Sequence, residues 1–342
     1  MNMKKRSIRG ILYAFVHFSV EVACFYFIFN RFAVSQYWVL FALLYDCLAF
    51  VPQGIFGVLQ DRYPSLDLGS CGAVMIIAAL VLPFDIIAFV LLSLGNALVH
   101  ISGAKYTLCD AEGKLAPSGI FVGGGSFGVV IGQLLSKTEL VMIPLVFMAL
   151  SVIIILLVRF RLPVSDRAEG FDIASENMPI WVFIILMFLA VSVRAYIGYA
   201  IPIAWKKTAL DSVILFFVMG IGKMLGGIVS DLIGAKRTAV FSLILSLPFM
   251  LFGNSNMLIS VIGVGLFSMT MAITLGGLVS RLPDQPGVSF GITTVGLFVG
   301  TLPSFFVLPN TLLANQITVT VLTLAVILIF IFGLKGYRKD VK

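Results

Sequence analysis

Apolar runs of about twenty residues recur along almost the whole chain, each long enough to cross a bilayer core of ~30 Å. They fall at about 10–32, 37–58, 67–84, 86–108, 117–136, 139–159, 179–203, 211–233, 237–253, 256–279, 287–308 and 313–334. Twelve spans use roughly 240 residues of the 342 present. No soluble catalytic or nucleotide-binding domain fits in the remainder. The composition agrees, with 60% hydrophobic and only 11% charged residues, where a soluble domain carries about 25% charged. The expected fold is an all-α polytopic membrane protein with twelve transmembrane helices.

Of the 23 Lys and Arg, sixteen lie in segments 59–67, 109–118, 159–178, 233–237, 280–287 and the two tails. Four lie in the alternate loops (Arg31, Lys137, Lys206 and Lys207), and three lie inside spans. The positive-inside rule assigns the richer side to the cytoplasm. Both termini are then cytoplasmic, which requires an even number of spans, and the chain is expected in the cell (inner) membrane. The N-terminal basic-then-apolar pattern is like that of a signal peptide. Its apolar part, however, carries His17 and Glu21 and no small-residue cleavage site, so it reads as the first span.

The net charge of +7 comes with no basic polar domain or nucleic-acid motif, and no nucleic-acid partner is expected. Cys24, Cys47, Cys71 and Cys109 form no CxxC, so neither a disulfide framework nor a zinc site is expected. No metal and no cofactor are expected. No GxxxxGK[ST] loop and no HExxH, GxSxG or paired-Asp signature is present, so active transport needs an ion or substrate gradient and an enzyme is not expected.

The chain reads as a duplication. Gly57 and Asp61 match Gly227 and Asp231 at an offset of 170 residues. Gly119, Gly124 and Gly128 match Gly291, Gly296 and Gly300 at an offset of 172. The expected organisation is a six-helix bundle over 1–160, a cytoplasmic linker over 161–178 and a second six-helix bundle over 179–342.

GVLQDR after the second span and GGIVSDLIGAKR after the eighth resemble the loop motif of the major facilitator superfamily, glycine-x3-aspartate with a basic cluster beyond. The second copy carries Gly227, Asp231, Gly234, Lys236 and Arg237; the first carries Gly57, Asp61 and Arg62. Pro64 stands where the first copy's next glycine is expected, and its distal basic pair is missing. More loosely, LYDCLAFVPQGIFGVLQDR, GNALVHISGA and GVSFGITTVGLFVGTLP resemble the fosmidomycin-resistance-type efflux branch. The resemblance implies two pseudo-symmetric bundles, a small-molecule substrate and alternating access; a monomer is expected. Physically, the glycines let helices approach. The aspartate faces the positive end of a neighbouring helix, and the nearby Arg or Lys holds it.

An ionisable residue inside a span costs at least ~2.5–3.5 kcal/mol and is a functional candidate by default. Here these are His17, Glu21, Asp46, His100, Lys105, Arg194 and Lys223. His17 and Glu21, four apart, share a helix face. Glu21 lies about eleven residues, or roughly 16 Å, above the cytoplasmic end of its span, and Asp46 lies at similar depth. Glu21, Asp46 and His17 are the proton-coupling candidates. Asn96 and His100 share a face of the fourth span and line a relay or substrate path. Lys105, near a span end, is expected to snorkel.

No acidic residue lies within a C-terminal-half span, so Arg194 needs a partner from the other half, from backbone carbonyls or from a substrate. Lys223, opposite Gln53 in the repeat, sits near the motif face. Arg194, Lys223, Tyr196 and Tyr199, with Asn96 and His100, are the candidate substrate contacts. Carboxylates in one half and cations in the other suit an anion or zwitterion carried with a proton. Gly124, Gly128 and Gly132 in the fifth span loosely resemble the superfamily's antiporter signature, without its glycine–proline pair, which favours export. The rival readings are an uncoupled facilitator with structural carboxylates and a lipid-moving protein.

Overall fold

Lipid offers a backbone no hydrogen-bond partners, so a spanning segment must satisfy its own N–H and C=O groups. The computed structural model, which describes residues 3–161, 165–201, 203–306 and 316–336, meets this demand with fourteen helices. They are α1 (Met3–Phe32), α2 (Trp38–Phe50), α3 (Pro52–Arg62), α4 (Leu68–Val81), α5 (Asp85–Cys109), α6 (Ala116–Leu135) and α7 (Met142–Arg161). The second half holds α8 (Ile180–Ala200), α9 (Ala209–Ile233), α10 (Ala235–Phe252), α11 (Met257–Ser268), α12 (Met271–Arg281), α13 (Pro286–Thr301) and α14 (Gln316–Gly333). The pairs α2–α3 and α11–α12 each form one span, Trp38–Arg62 and Met257–Arg281. Twelve spans result, and eleven of them are long and apolar enough to cross a membrane.

The twelfth, α4, differs from the expected 67–84. It has 14 residues, a rise of about 21 Å. Asp67 starts it by accepting from the Ser70 N–H, and it stops at Leu82, which is extended at φ −71°, ψ 136°; the residue before a proline, here Pro83, is driven out of the helical region. Pro52 interrupts the second span by lacking an N–H. Pro303 lies in a short 3-10 turn, Leu302–Phe305, that follows α13. The break between α11 and α12 has no proline. Residues 307–315, with most of the loop before the last span, lie outside the described residues.

The Lys- and Arg-rich loops gather on one face, here called the basic face. Arg9 pairs with Asp110 at 2.7 Å, and Arg159 lies 3.6 Å from Asp67. The described part of the linker is pinned rather than free. Ala168 N–H donates to Pro283 O and Ser175 N–H to Gly333 O, while Arg281 donates to Ser175 O and Met178 O. Lys335 bonds both Asp172 and Glu176. On the opposite face Arg31 pairs with Asp85 at 2.7 Å, and Ala204 N–H donates to Asn254 O.

Small residues set the closest helix contacts, as expected where lipid removes the usual hydrophobic drive between helices. The Gly124–Gly128–Gly132 stripe of α6 rides along α1. A Cβ at Gly124 would sit 2.7 Å from Ala14 O and one at Gly132 2.7 Å from Val22 O; at Gly128 it would strike Phe18 O. The two helices thus mesh every four residues, and packing α1 accounts for these glycines. This contact holds the α1 face that carries His17 and Glu21 against α6.

Candidate functional site

The two halves meet on the basic face through a pair of matching contacts. Asp61, at the end of α3, accepts from Gly287 N–H at 3.1 Å and Val288 N–H at 2.8 Å, at the start of α13. Asp231, near the end of α9, accepts from Leu115 N–H at 2.7 Å and Ala116 N–H at 3.0 Å, at the start of α6. Each carboxylate meets the positive end of a helix from the other half. The partners Leu115 and Gly287 lie 172 residues apart, the same offset as the glycine repeat. A Cβ at Gly57 would lie 2.5 Å from Gly287 O, and one at Gly227 2.5 Å from Leu115 O. Deeper in, Gly119 faces Lys223 O as Gly291 faces Gln53 O. Gly234 ends α9 at φ +94°, a left-handed backbone that favours glycine.

Two expectations about these motifs need correction. Arg62 does not hold Asp61; it is exposed and its guanidinium lies over the Tyr63 ring at 5.6 Å. Lys105 does not snorkel. It is 1% exposed, donates to Gln60 O at 2.9 Å, and lies 3.6 Å from Asp61 and 3.8 Å from Asp166 of the linker. Lys105 thus supplies the cation that the first motif lacks. Lys236 is half-buried and Arg237 exposed at the start of α10.

Within the N-terminal half, toward the middle of the spans, α1 and α5 build a buried polar cluster. His17 Nδ1 meets Phe121 O at 2.8 Å, and His100 Nδ1 meets Asn96 O at 2.9 Å. A carbonyl only accepts, so each Nδ1 carries a proton, and a ring that is neutral then presents a lone pair at Nε2. Those two Nε2 atoms are 2.7 Å apart. Glu21 Oε1 lies 3.1 Å from the His100 Nε2 and 3.7 Å from the His17 Nε2. Three acceptors therefore converge, and the arrangement requires a cation among them. All three side chains are buried. Glu21 Oε2 is buried without a hydrogen-bond partner among the described residues. Gly125 makes room for the cluster, because a Cβ there would collide with the His17 ring.

Asn96 donates to Tyr45 Oη at 3.1 Å and to Cys24 Sγ at 3.5 Å, one turn from Glu21. Asp46 is half-buried beside Tyr45 and within electrostatic reach of Glu21. The cations sit in the other half. Lys223 donates across the interface to Ser126 Oγ at 2.7 Å and is within electrostatic reach of both Arg194 and Glu21. Arg194 is buried; its described partners are the Thr270 hydroxyl and the Met271 thioether, at the break between α11 and α12. It has no carboxylate partner among the described residues. Tyr196 packs half-buried on the core, and the Tyr199 side chain lies outside the described residues. On the face opposite the basic face, a cleft opens between α1, α6 and α9, lined by Phe29, Ala33, Gln133, Lys137, Ser212 and Val213.

The sequence thus pointed to the charged members of this site, and the fold joins His17, Glu21 and His100 into one group. The partners Ser126, Thr270, Met271 and the Phe121 carbonyl carried no sequence signal. Lys105 did carry one, since a lysine within a span needs acceptors.

No protein-family model matches the sequence, and no curated protein sequence matches it. Solved structures do match. The chain is similar to the E. coli fucose:proton symporter FucP, at a TM-score of 0.67 and 14% identity over 96% of this chain and 98% of that one. A second FucP structure, of this major facilitator superfamily transporter in the outward conformation, gives a TM-score of 0.65 and 15% identity, again over 96% and 98%. The human organic anion transporter MFSD10 (TETRAN) gives 0.68 and 16% over 97% of this chain and all 100% of that one. The resemblance to the efflux branch rests on sequence alone. With twelve spans, matching contacts between its halves and these neighbours, the chain has the fold of the major facilitator superfamily transporters.

Proposed function

We propose that the chain is a secondary active transporter of the cell (inner) membrane, with both termini cytoplasmic. It moves a small organic solute, anionic or zwitterionic, by proton-coupled alternating access, and export is the favoured direction. The observation that carries this reading is the division of buried charge. Arg194 and Lys223 lie in one half without a carboxylate bonded to them among the described residues, and Glu21 and Asp46 lie in the other. A buried guanidinium with only neutral partners calls for an anion, and a solute seated between the halves would supply it. The neighbours' own names support the class: one is a proton symporter and another an organic anion transporter.

In this reading the bundles 1–160 and 179–342 rock about the linker 161–178. The paired aspartate contacts close the basic face in one state and break in the other. Glu21 and Asp46, with His17 beside them, carry the coupling proton. In proteoliposomes, Glu21→Gln and Asp46→Asn are expected to reduce gradient-driven accumulation at least about tenfold, while equilibrium exchange persists, because the path stays open when the proton carrier is lost. Unaltered accumulation in both variants overturns the coupling and favours a facilitator.

The orientation has its own test. Cysteines placed within 165–178 should label only from the cytoplasm, and those at positions 206 and 207 only from outside. The reverse pattern overturns the topology.

A further inference from the structure

From the convergence of three acceptors we infer that His17 Nε2, His100 Nε2 and Glu21 Oε1 form a binding site for a single divalent transition-metal ion of the zinc class. The inference stands apart from the transport reading, in which the cation at this place is a proton.

The geometry fits on four counts. First, the three atoms are separated by 2.7, 3.1 and 3.7 Å. Ligand bonds of about 2.0–2.2 Å in a tetrahedral zinc site place neighbouring ligand atoms about 3.3–3.6 Å apart, so the three atoms form one face of such a tetrahedron once the two imidazole nitrogens part by roughly 0.6 Å. Among the described residues this is the one group of three His, Cys, Asp or Glu side chains close enough to hold a metal.

Second, both imidazoles are already in the tautomer a metal needs. A metal-bound histidine donates its other ring N–H to a carbonyl or carboxylate, which fixes the ring. Phe121 O and Asn96 O accept those protons here. Third, the donor set of two imidazoles and one carboxylate suits a borderline ion such as Zn²⁺ or Co²⁺ better than Mg²⁺ or Ca²⁺, which prefer oxygen. Fourth, Glu21 Oε2 has no hydrogen-bond partner among the described residues, so the carboxylate can turn to bind through either oxygen. Lys223, though within electrostatic reach of Glu21, donates its hydrogen bond to Ser126 and not to that carboxylate. The fourth ligand position is left to water or to a solute.

The composition makes the test decisive, because the chain has two histidines in all and both are in this cluster. The full-length chain, freed of any histidine tag and purified in detergent, is titrated with Zn²⁺ alone and with Co²⁺ alone. The expected results are one Zn²⁺ per chain, X-ray absorption showing two imidazoles on the metal, and the intense visible absorption of four-coordinate Co²⁺. His17→Gln and His100→Gln should each weaken binding by more than about tenfold. If either variant fails to fold, the absorption measurement on the unaltered chain decides alone. Metal without imidazole ligands, or no binding at micromolar Zn²⁺, overturns the site. A chain that transports yet shows no imidazole-bound metal refutes this inference and leaves the transport reading standing. Imidazole-bound metal in a chain that transports nothing does the reverse.

Discussion

Arg194→Ala is expected to weaken binding of an anionic substrate by one to two decades while the chain stays folded. The physical reason lies in the partners that Arg194 has. It donates to a hydroxyl on Thr270 and a thioether on Met271, both neutral and weakly accepting. Removing the guanidinium therefore strands no buried carboxylate, and the helix break at Thr270 keeps its other bonds to Phe267 O and Thr274. A solute carboxylate or phosphonate is the partner that would lose most. A hydrogen bond to a charged group is worth roughly 1.5–3 kcal/mol, which is about one to two decades in affinity. Arg194→Lys should recover little, since an ammonium cannot reproduce a two-pronged contact. A thermal-shift screen of purified protein against anionic, zwitterionic and cationic solutes would find the ligand, because binding the native state raises its apparent stability. Titration of the variants then gives the loss. A well-folded alanine variant with unchanged affinity would remove Arg194 from the site and turn attention to Lys223 and His100.

Which parts of this molecule were legible in the chain follows from what lipid demands. Spanning helices must be continuous apolar runs, so eleven of the twelve spans stand out by length and hydropathy. The repeat was legible because the contacts between halves are made by residues with few substitutes. Glycine alone tolerates the approach at Gly57 and Gly227, and a carboxylate is needed at Asp61 and Asp231 to meet helix N-termini. The short α4 was overestimated because hydropathy continues past Leu82, whereas Pro83 ends the helix. The cluster was half legible. His17 and Glu21 share a helix face by their spacing of four, but His100 lies 83 residues away from His17, and only packing of α5 against α1 brings the rings together. Which nitrogen bears a proton depends on two backbone carbonyls, and no spacing rule reports those. Lys105 was misjudged because its place near a helix end allowed snorkelling, while the fold sets the linker residue Asp166 within 3.8 Å of it.

Gly57→Leu is expected to arrest the transport cycle by preventing closure of the basic face, and Gly227→Leu should do the same at the matching contact. A Cβ at position 57 would come within 2.5 Å of Gly287 O and 2.6 Å of its carbonyl carbon. Both are backbone atoms of the facing helix and cannot rotate away. The strain falls between the halves rather than within either one, so each bundle still folds. Holding the helices apart also breaks both bonds from Asp61 to the Gly287 and Val288 N–H groups. At roughly 1.5–3 kcal/mol for each bond to a charged acceptor, the closed state loses about 3–6 kcal/mol. That moves the balance between states by about two to four decades. Cys109 reports the change, since it is buried at the basic end of α5, within electrostatic reach of Asp61 and Lys105. In a background where Cys47 and Cys71 are serine, its maleimide labelling should rise sharply in Gly57→Leu, while net transport falls to the level of empty vesicles. Equal protection of Cys109 in variant and parent, together with intact transport, would mean that the two halves do not separate at this contact during the cycle.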